Sequence, residues 1–115
     1  MMLVPNCGAA VTAALGCLGL LLPSTVSQIL GIHPDGSLGV SELRATYGGF
    51  FMSLGVGCLV AQSAPVFTVV GAAWCAAAFA RLISCVVDTS RSWRNLVGIG
   101  FEAAVGLSML ATHLY

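Results

Sequence analysis

Six side chains in this sequence have the types and spacing that chemistry in an apolar setting requires. This candidate polar cluster consists of Glu42, Arg44, Tyr47, Arg81, Asp88 and Glu102. Either glutamate is suited to act as an acid or a base, and either Arg44 or Arg81 is suited to hold an anion. Whether any of them is catalytic is unknown from the sequence, because the same side chains also form structural ion pairs.

Helical spacing places several of these residues on common faces. One stripe is formed, at i, i+3, i+4 and i+7, by Arg81, Ser84, Cys85 and Asp88. A second stripe is formed by Asn95, Gly98, Glu102 and Gly106. Because an unpaired charge inside hydrocarbon costs about 2.5–3.5 kcal/mol, Arg81 and Glu102 are predicted to form an ion pair, with Arg44 as a competing partner.

Structural explanations compete with functional ones at these positions. Glu42 falls in the first turn of its predicted helix, where a carboxylate complements the helix dipole. Asp88 is expected to be a turn residue or a partner of Arg91, and Arg91 and Arg94 are expected to anchor the topology. The Tyr47 ring is explained equally well by packing, with its hydroxyl bonded to a charged neighbour.

No residue pattern in the chain indicates a metal, a cofactor or a nucleic acid. The five cysteines form no C-x-x-C pair and are interpreted as small buried hydrophobic residues. His33 and His113 are predicted to lie on opposite sides of a membrane, so they cannot share a metal ion. The formal net charge is +0, whereas nucleic-acid binding needs a basic face.

The elements that carry the cluster are predicted to be membrane helices. Charged residues make up 7% of the 115 residues and hydrophobic residues 58%, whereas about 25% of an ordinary soluble domain is charged. A span needs about 20 apolar residues, and four such segments lie at about 3–22, 41–62, 65–87 and 94–113. The predicted fold is therefore all-α, a single domain over residues 1–115 that forms an integral membrane four-helix bundle.

A short interfacial helix is predicted between the first and second spans. Thr25 and Gln28 have the spacing of a capping box, and Gly31 is suited to end the helix. The segment 33–36, with the sequence HPDG, is then expected to form a turn. This helix is expected to lie at the membrane surface.

The arginines predict the orientation of the four spans. Short connections make neighbouring helices antiparallel, so both chain termini lie on one side, and Arg91 and Arg94 flank a connection on the other. By the positive-inside rule the arginine side is cytoplasmic. Both termini are therefore predicted on the non-cytoplasmic side of a bacterial cytoplasmic (inner) membrane, with Trp93 and Tyr115 as interface aromatic residues.

Small residues at four-residue intervals predict where the spans pack closely. The first span offers Gly8, Thr12 and Gly16, and the second offers Gly49, Ser53 and Gly57. Neighbouring helices are expected to pack closely against these faces of the first and second spans.

The run SELRATYGG at 41–49 resembles the signature of an uncharacterised bacterial membrane family, catalogued as domain of unknown function 4345. Arg81 followed by Leu82, Asp88 and Glu102 are similar to that family's other polar positions. The family often has glycine after its aspartate, where this chain has Thr89. The resemblance covers most of the chain and implies four membrane helices, and it brings no established activity.

Three functions are compatible with this sequence. The first is a membrane scaffold or accessory subunit, whose partners are the lipid bilayer and either another membrane protein or further copies of itself. The second is a binding or transport protein for an amphiphile or lipid, using Arg81 and Glu102. The third is an enzyme that acts on a lipid or quinone, although the chain lacks any recognisable catalytic motif.

Overall fold

The computed structural model describes the backbone of residues 2–114 and the side chains of residues 2–112. Its helices are α1 (Leu3–Leu21), α2 (Pro23–Leu30), α3 (Gly36–Ala61), α4 (Ala64–Val87) and α5 (Trp93–Leu110), followed by a 3₁₀ turn at Ala111–Leu114. The all-α class predicted from the sequence is confirmed. The predicted interface residue Tyr115 and the side chain of His113 lie outside the described residues.

Three of the described helices are long and apolar enough to cross a membrane, namely α1, α3 and α4. The sequence predicts four such helices. Helix α5 has 18 residues, and Arg94, Asn95 and Glu102 lower its mean hydropathy. The length and composition of the described helices therefore support a membrane protein with three candidate spans.

Helix α2 begins earlier than its predicted capping box. Pro23 is its first residue, a position where proline is favoured because no hydrogen-bonded N–H is needed there. The capping role predicted for Thr25 and Gln28 is therefore wrong, since both lie inside the helix. Gly31 ends α2 as predicted, with a φ of 73° that glycine adopts readily.

Helix α3 also begins earlier than predicted, at Gly36 rather than Ser41. Asp35 is extended, and Gly36 has a φ of 66°, which lets the chain turn directly into the helix. Glu42 is consequently in the second turn of α3 and not in the first. The helix-dipole explanation for Glu42 is therefore wrong.

The chain divides into two compact units. The hairpin unit comprises Met1–Gly8 together with Gln62–Tyr115, and the crossing unit comprises Ala9–Ala61. Helices α4 and α5 thus belong to the first unit, and α2 and α3 belong to the second. Each unit contains part of the candidate polar cluster.

In the hairpin unit, α4 and α5 pack antiparallel with their backbones close together. A Cβ atom on Gly106 would lie 2.9 Å from both the Cys75 nitrogen and the Gly71 oxygen, so this contact requires glycine at that position. The Trp74 and Phe101 rings meet edge to face nearby, with centroids 6.2 Å apart. These contacts fix which face of α5 is turned toward α4.

A reciprocal amide pair closes the other end of the hairpin unit. The Asn6 side-chain nitrogen donates to the Gln62 side-chain oxygen at 3.2 Å, and the Gln62 nitrogen donates to the Asn6 oxygen at 2.7 Å. Gln62 has a φ of 47°, which is uncommon for a residue other than glycine. The beginning of α1 is therefore bonded to the turn that precedes α4.

In the crossing unit, α1 and α3 pack antiparallel through small residues. The close contacts join Gly16 to Met52, Gly19 to Tyr47, Gly48 to Leu20 and Gly55 to Ala13. A Cβ atom on Gly48 would lie 2.8 Å from the Leu20 backbone nitrogen. The prediction that Gly16 packs against another helix is confirmed.

The small-residue face predicted for α3 is wrong by one position. Gly49 and Gly57 have open space where a Cβ would be, and Ser53 is exposed. The face formed by Gly48, Met52 and Gly55 makes the contacts instead. Both sets of residues have helical spacing, so spacing alone does not distinguish the buried stripe from its exposed neighbour.

Candidate functional site

Arg81 and Glu102 form an ion pair across the hairpin unit, as predicted. The Arg81 Nε donates to the Glu102 Oε1. The Glu102 side chain is 13% exposed and the Arg81 side chain 35%, so the carboxylate is the better shielded partner. The two charges neutralise each other where α4 and α5 face one another.

Asn95 joins this pair to the turn between the two helices. Arg81 Nη1 donates to the Asn95 side-chain oxygen at 3.1 Å. The Asn95 nitrogen donates to the Ser90 carbonyl at 2.8 Å and contacts the Cys85 sulfur at 3.4 Å. The cluster drawn from the sequence omits Asn95, although its position seven residues before Glu102 places it on the same helical stripe.

Gly98 provides the space in which the Arg81 side chain lies. A Cβ atom at Gly98 would be 3.2 Å from both Cζ and Nε of Arg81. The guanidinium therefore lies against the backbone of α5, one turn from Asn95 and one turn from Glu102. We call Arg81, Asn95, Gly98 and Glu102 the polar clamp.

Asp88 lies just beyond the polar clamp and has a different partner from the one expected. Its Oδ2 accepts a hydrogen bond from the Ser84 hydroxyl at 2.7 Å. Arg91 instead donates from Nε to the Cys85 carbonyl at 3.0 Å, because the last carbonyls of a helix lack partners within it. Within the described residues, the predicted pairing of Asp88 with Arg91 does not form.

The predicted anchor residues lie at the start of α5. The Ser92 hydroxyl accepts from the Asn95 backbone N–H at 3.3 Å and so caps the helix. The Arg94 guanidinium lies 5.9 Å from the centre of the exposed Trp93 ring, within the range of a cation–π contact.

In the crossing unit, Arg44 also bonds to the end of a helix. Its Nη1 donates to the Leu20 carbonyl, which belongs to the last turn of α1 and has no partner further along that helix. A cation at this end also complements the helix dipole. Glu102, for which Arg44 is the competing partner in the sequence, is bonded to Arg81 within the hairpin unit.

Glu42 and Tyr47 line an open cleft of about 410 Å³ in the crossing unit. Its polar lining also includes His33, Asp35 and Thr46, and its apolar lining includes Ile32 and Leu43. Within the described residues, the carboxylates of Asp35 and Glu42 have no hydrogen-bond or ion-pair partner. We call this the α3 cleft.

Part of the α3 cleft is built on an unusual helical segment. Residues Ala45–Phe50 form a π-helix within α3, and Thr46 and Tyr47 of the cleft lie in it. Single π-helical turns inside α-helices occur frequently at functional sites. The sequence gives no periodicity that distinguishes such a turn from an ordinary α-helix, so neither the π-helix nor the cleft is predicted from it.

The cysteines divide into two groups by exposure. Cys58 is buried and Cys75 and Cys85 are intermediate, whereas Cys7 and Cys17 are exposed, which contradicts the prediction that all five are buried. Among the described residues, no group of three His, Cys, Asp or Glu side chains is arranged to hold a metal ion.

These features define an all-helical protein in which three helices are suited to cross a membrane and a fourth packs through a polar clamp. The chain belongs to the family described as Domain of unknown function (DUF4345), which matches it over residues 6–113. The family resemblance found in the sequence is thereby confirmed. Neither a curated protein nor a solved structure matches the chain.

Proposed function

We propose that this chain is an integral membrane protein that spans the bilayer four times as a helix bundle and acts as a scaffold or accessory subunit. The observation that carries the proposal is the polar clamp, in which two partly buried opposite charges bind each other. Such an arrangement fixes how helices pack and leaves the outer faces of the molecule for lipid or for a partner protein.

The apolar outer faces support the placement in a membrane. Between 22% and 33% of each candidate span is buried, so most of these helices face outward. Their exposed residues include large apolar side chains such as Val60, Val69 and Leu21. A monomeric soluble protein rarely exposes continuous apolar surface on this scale. Contact with lipid or with another apolar helix removes this surface from water.

The polar clamp also supports the insertion of α5 as a fourth span. Glu102 is a charged residue in the middle of α5 and is costly to place in hydrocarbon, and it is paired with Arg81 of α4. Helices α4 and α5 thus bring a neutral pair into the membrane when they enter together. Four spans would place both termini on the non-cytoplasmic side of the bacterial cytoplasmic membrane.

The alternative functions place different demands on Arg81 and Glu102. A binding site for an amphiphile, or the acid and base of a lipid- or quinone-acting enzyme, needs groups that are free to meet the ligand. Glu102 is mostly buried and bonded to Arg81, and Arg81 is bonded in addition to Asn95. These bonds between protein groups favour a structural role for the pair.

A comparison of single and double substitutions tests the proposal. Glu102→Gln leaves the Arg81 charge without its carboxylate, and the free energy of unfolding is expected to fall by about 1.5–3 kcal/mol. The double variant Arg81→Met/Glu102→Gln removes both charges, and most of the lost stability is expected to return. Glu42→Gln, the same chemical change at an exposed position, is the matched control and is expected to be neutral.

Native mass spectrometry of the gently extracted protein supplies the functional readout. We expect a co-purifying protein or a defined homo-oligomer, retained in the folded double variant. A small molecule that accompanies the wild type and is lost from the equally stable double variant would contradict the scaffold role. That outcome would assign Arg81 and Glu102 to a ligand or enzyme site.

A further inference from the structure

We propose that the α3 cleft binds the ammonium group of a cationic amphiphile. The residues that line the cleft belong to the crossing unit alone, and none of them is part of the polar clamp. The inference rests on the charge of the rim, the apolar floor and the fixed backbone behind the cleft.

The rim of the cleft is acidic. Asp35 and Glu42 are both exposed, and no described residue pairs with either carboxylate. They are seven residues apart, which is about two helical turns or roughly 10 Å along α3. Asp35 occupies the N-cap position without capping the helix through its side chain, so its carboxylate is available to a cation.

The floor of the cleft is apolar and well packed. Leu43 is only 4% exposed, and the half-buried Tyr47 ring contacts Phe51 edge to face with centroids 5.7 Å apart. Ile32 adds an exposed aliphatic side chain to the lining. An alkyl chain is suited to such a floor, and an aromatic ring is a recurrent feature of ammonium recognition.

The backbone behind the cleft is fixed by the crossing of α1 and α3. Gly19 packs against the Tyr47 carbonyl group, and Gly48 packs against the Leu20 backbone. These contacts hold the π-helical segment that carries Thr46 and Tyr47. A cleft supported in this way is largely formed before its ligand arrives, which reduces the ordering cost of binding.

The charge of the lining favours a net cation over a zwitterionic lipid headgroup. Two carboxylates repel a phosphate, and the lining residues include no arginine or lysine. Arg44 is the nearest basic residue in sequence, and it is bonded to the Leu20 carbonyl.

The test measures binding of dodecyltrimethylammonium to the full chain in an uncharged maltoside detergent, by equilibrium dialysis at constant ionic strength. We expect Glu42→Gln and Asp35→Asn each to raise the Kd by about tenfold, the loss of one charge-assisted contact. Both positions are exposed, so the variants are expected to keep the wild-type melting temperature. Asp88→Asn is the matched control, because it removes another exposed aspartate, which does not line the cleft.

Three outcomes would overturn the assignment. An unchanged Kd in both cleft variants would exclude the carboxylates from binding. An equal increase in Asp88→Asn would show a general effect of net charge. Displacement of the probe by an alkyl phosphoethanolamine at comparable concentration would assign the cleft to a zwitterionic lipid headgroup instead of a cation.

Discussion

At the polar clamp, one arginine is held by three features of α5. Glu102 supplies the opposite charge, Asn95 accepts a second hydrogen bond, and Gly98 leaves room for the guanidinium. The Asn95 amide donates in turn to the Ser90 carbonyl, so its orientation is determined by its neighbours. The amide therefore links the ion pair to the turn at the end of the hairpin.

Asn95→Ala tests this role. The substitution removes an acceptor from Arg81 and a donor from the Ser90 carbonyl, and we expect the free energy of unfolding to fall by about 1–3 kcal/mol. Thermal unfolding in one detergent is the measurement, and Val97→Ala is the control because Val97 is 59% exposed. Equal melting temperatures for the two variants would show that Asn95 does not support the pair.

The Arg81–Glu102 pair could be predicted from the sequence, but its surroundings could not. Two opposite charges at similar predicted depth in neighbouring apolar helices are expected to pair, because an unpaired charge there is costly and few other polar partners are present. Asn95 has several potential partners, and only the packed helices select Arg81. The α3 cleft depends on how residues 32–35 run beside α3, which no residue pattern encodes.

At the scale of the helices, glycines decide which faces meet. Gly48 and Gly49 are adjacent in the π-helical segment and differ completely in environment. A methyl group at Gly48 meets the backbone of Leu20, whereas one at Gly49 meets open space. A backbone contact of this kind has no flexible side chain that can move aside.

The substitutions Gly48→Ala and Gly49→Ala therefore form a matched pair. We expect Gly48→Ala to lower the free energy of unfolding by about 1–3 kcal/mol through overpacking. Gly49→Ala is expected to be neutral or slightly stabilising, since alanine has the higher helix propensity. Chemical or thermal unfolding distinguishes the two, and a greater loss at Gly49 would contradict the observed crossing.

The approximate positions of the long helices follow from the apolar runs in the sequence. The first residue of α3 and the π-helical segment within it do not. Helix α4 at Ala64–Val87 begins one residue before the predicted span, because polar residues and a proline mark its start. Helix α3 begins five residues early because Gly36 allows a sharp turn that composition does not reveal. The π-helix requires hydrogen bonds between residues five apart, and apolar spacing does not report them.

At the scale of the whole molecule, the number of spans determines on which side the chain ends. Three helices are long and apolar enough to cross a membrane, and an odd number of spans separates the two termini. The proposed insertion of α5 together with α4 would restore them to one side. In the proposed four-span arrangement the polar clamp would favour this insertion, so topology and packing would depend on the same residues.

Reporter fusions at the C-terminus test the four-span topology in a bacterial host. We expect alkaline phosphatase fused there to be active, since it folds outside the cytoplasm, and green fluorescent protein to be dark. The same fusions placed within the Asp88–Ser92 turn are the control and are expected to give the opposite result. Fluorescence at the C-terminus would show that α5 does not cross, or that the chain is inverted if the turn fusions are reversed as well.

The reciprocal amide pair of Asn6 and Gln62 has a consequence for the timing of synthesis. These residues are 56 positions apart, and a ribosome adds about 5–20 residues per second, so roughly three to eleven seconds separate them. During that interval Asn6 has been made and its partner has not. The start of the first helix is therefore bonded to its partner only after α3, which ends at Ala61, has been synthesised in full, so this contact forms later than the first helix itself.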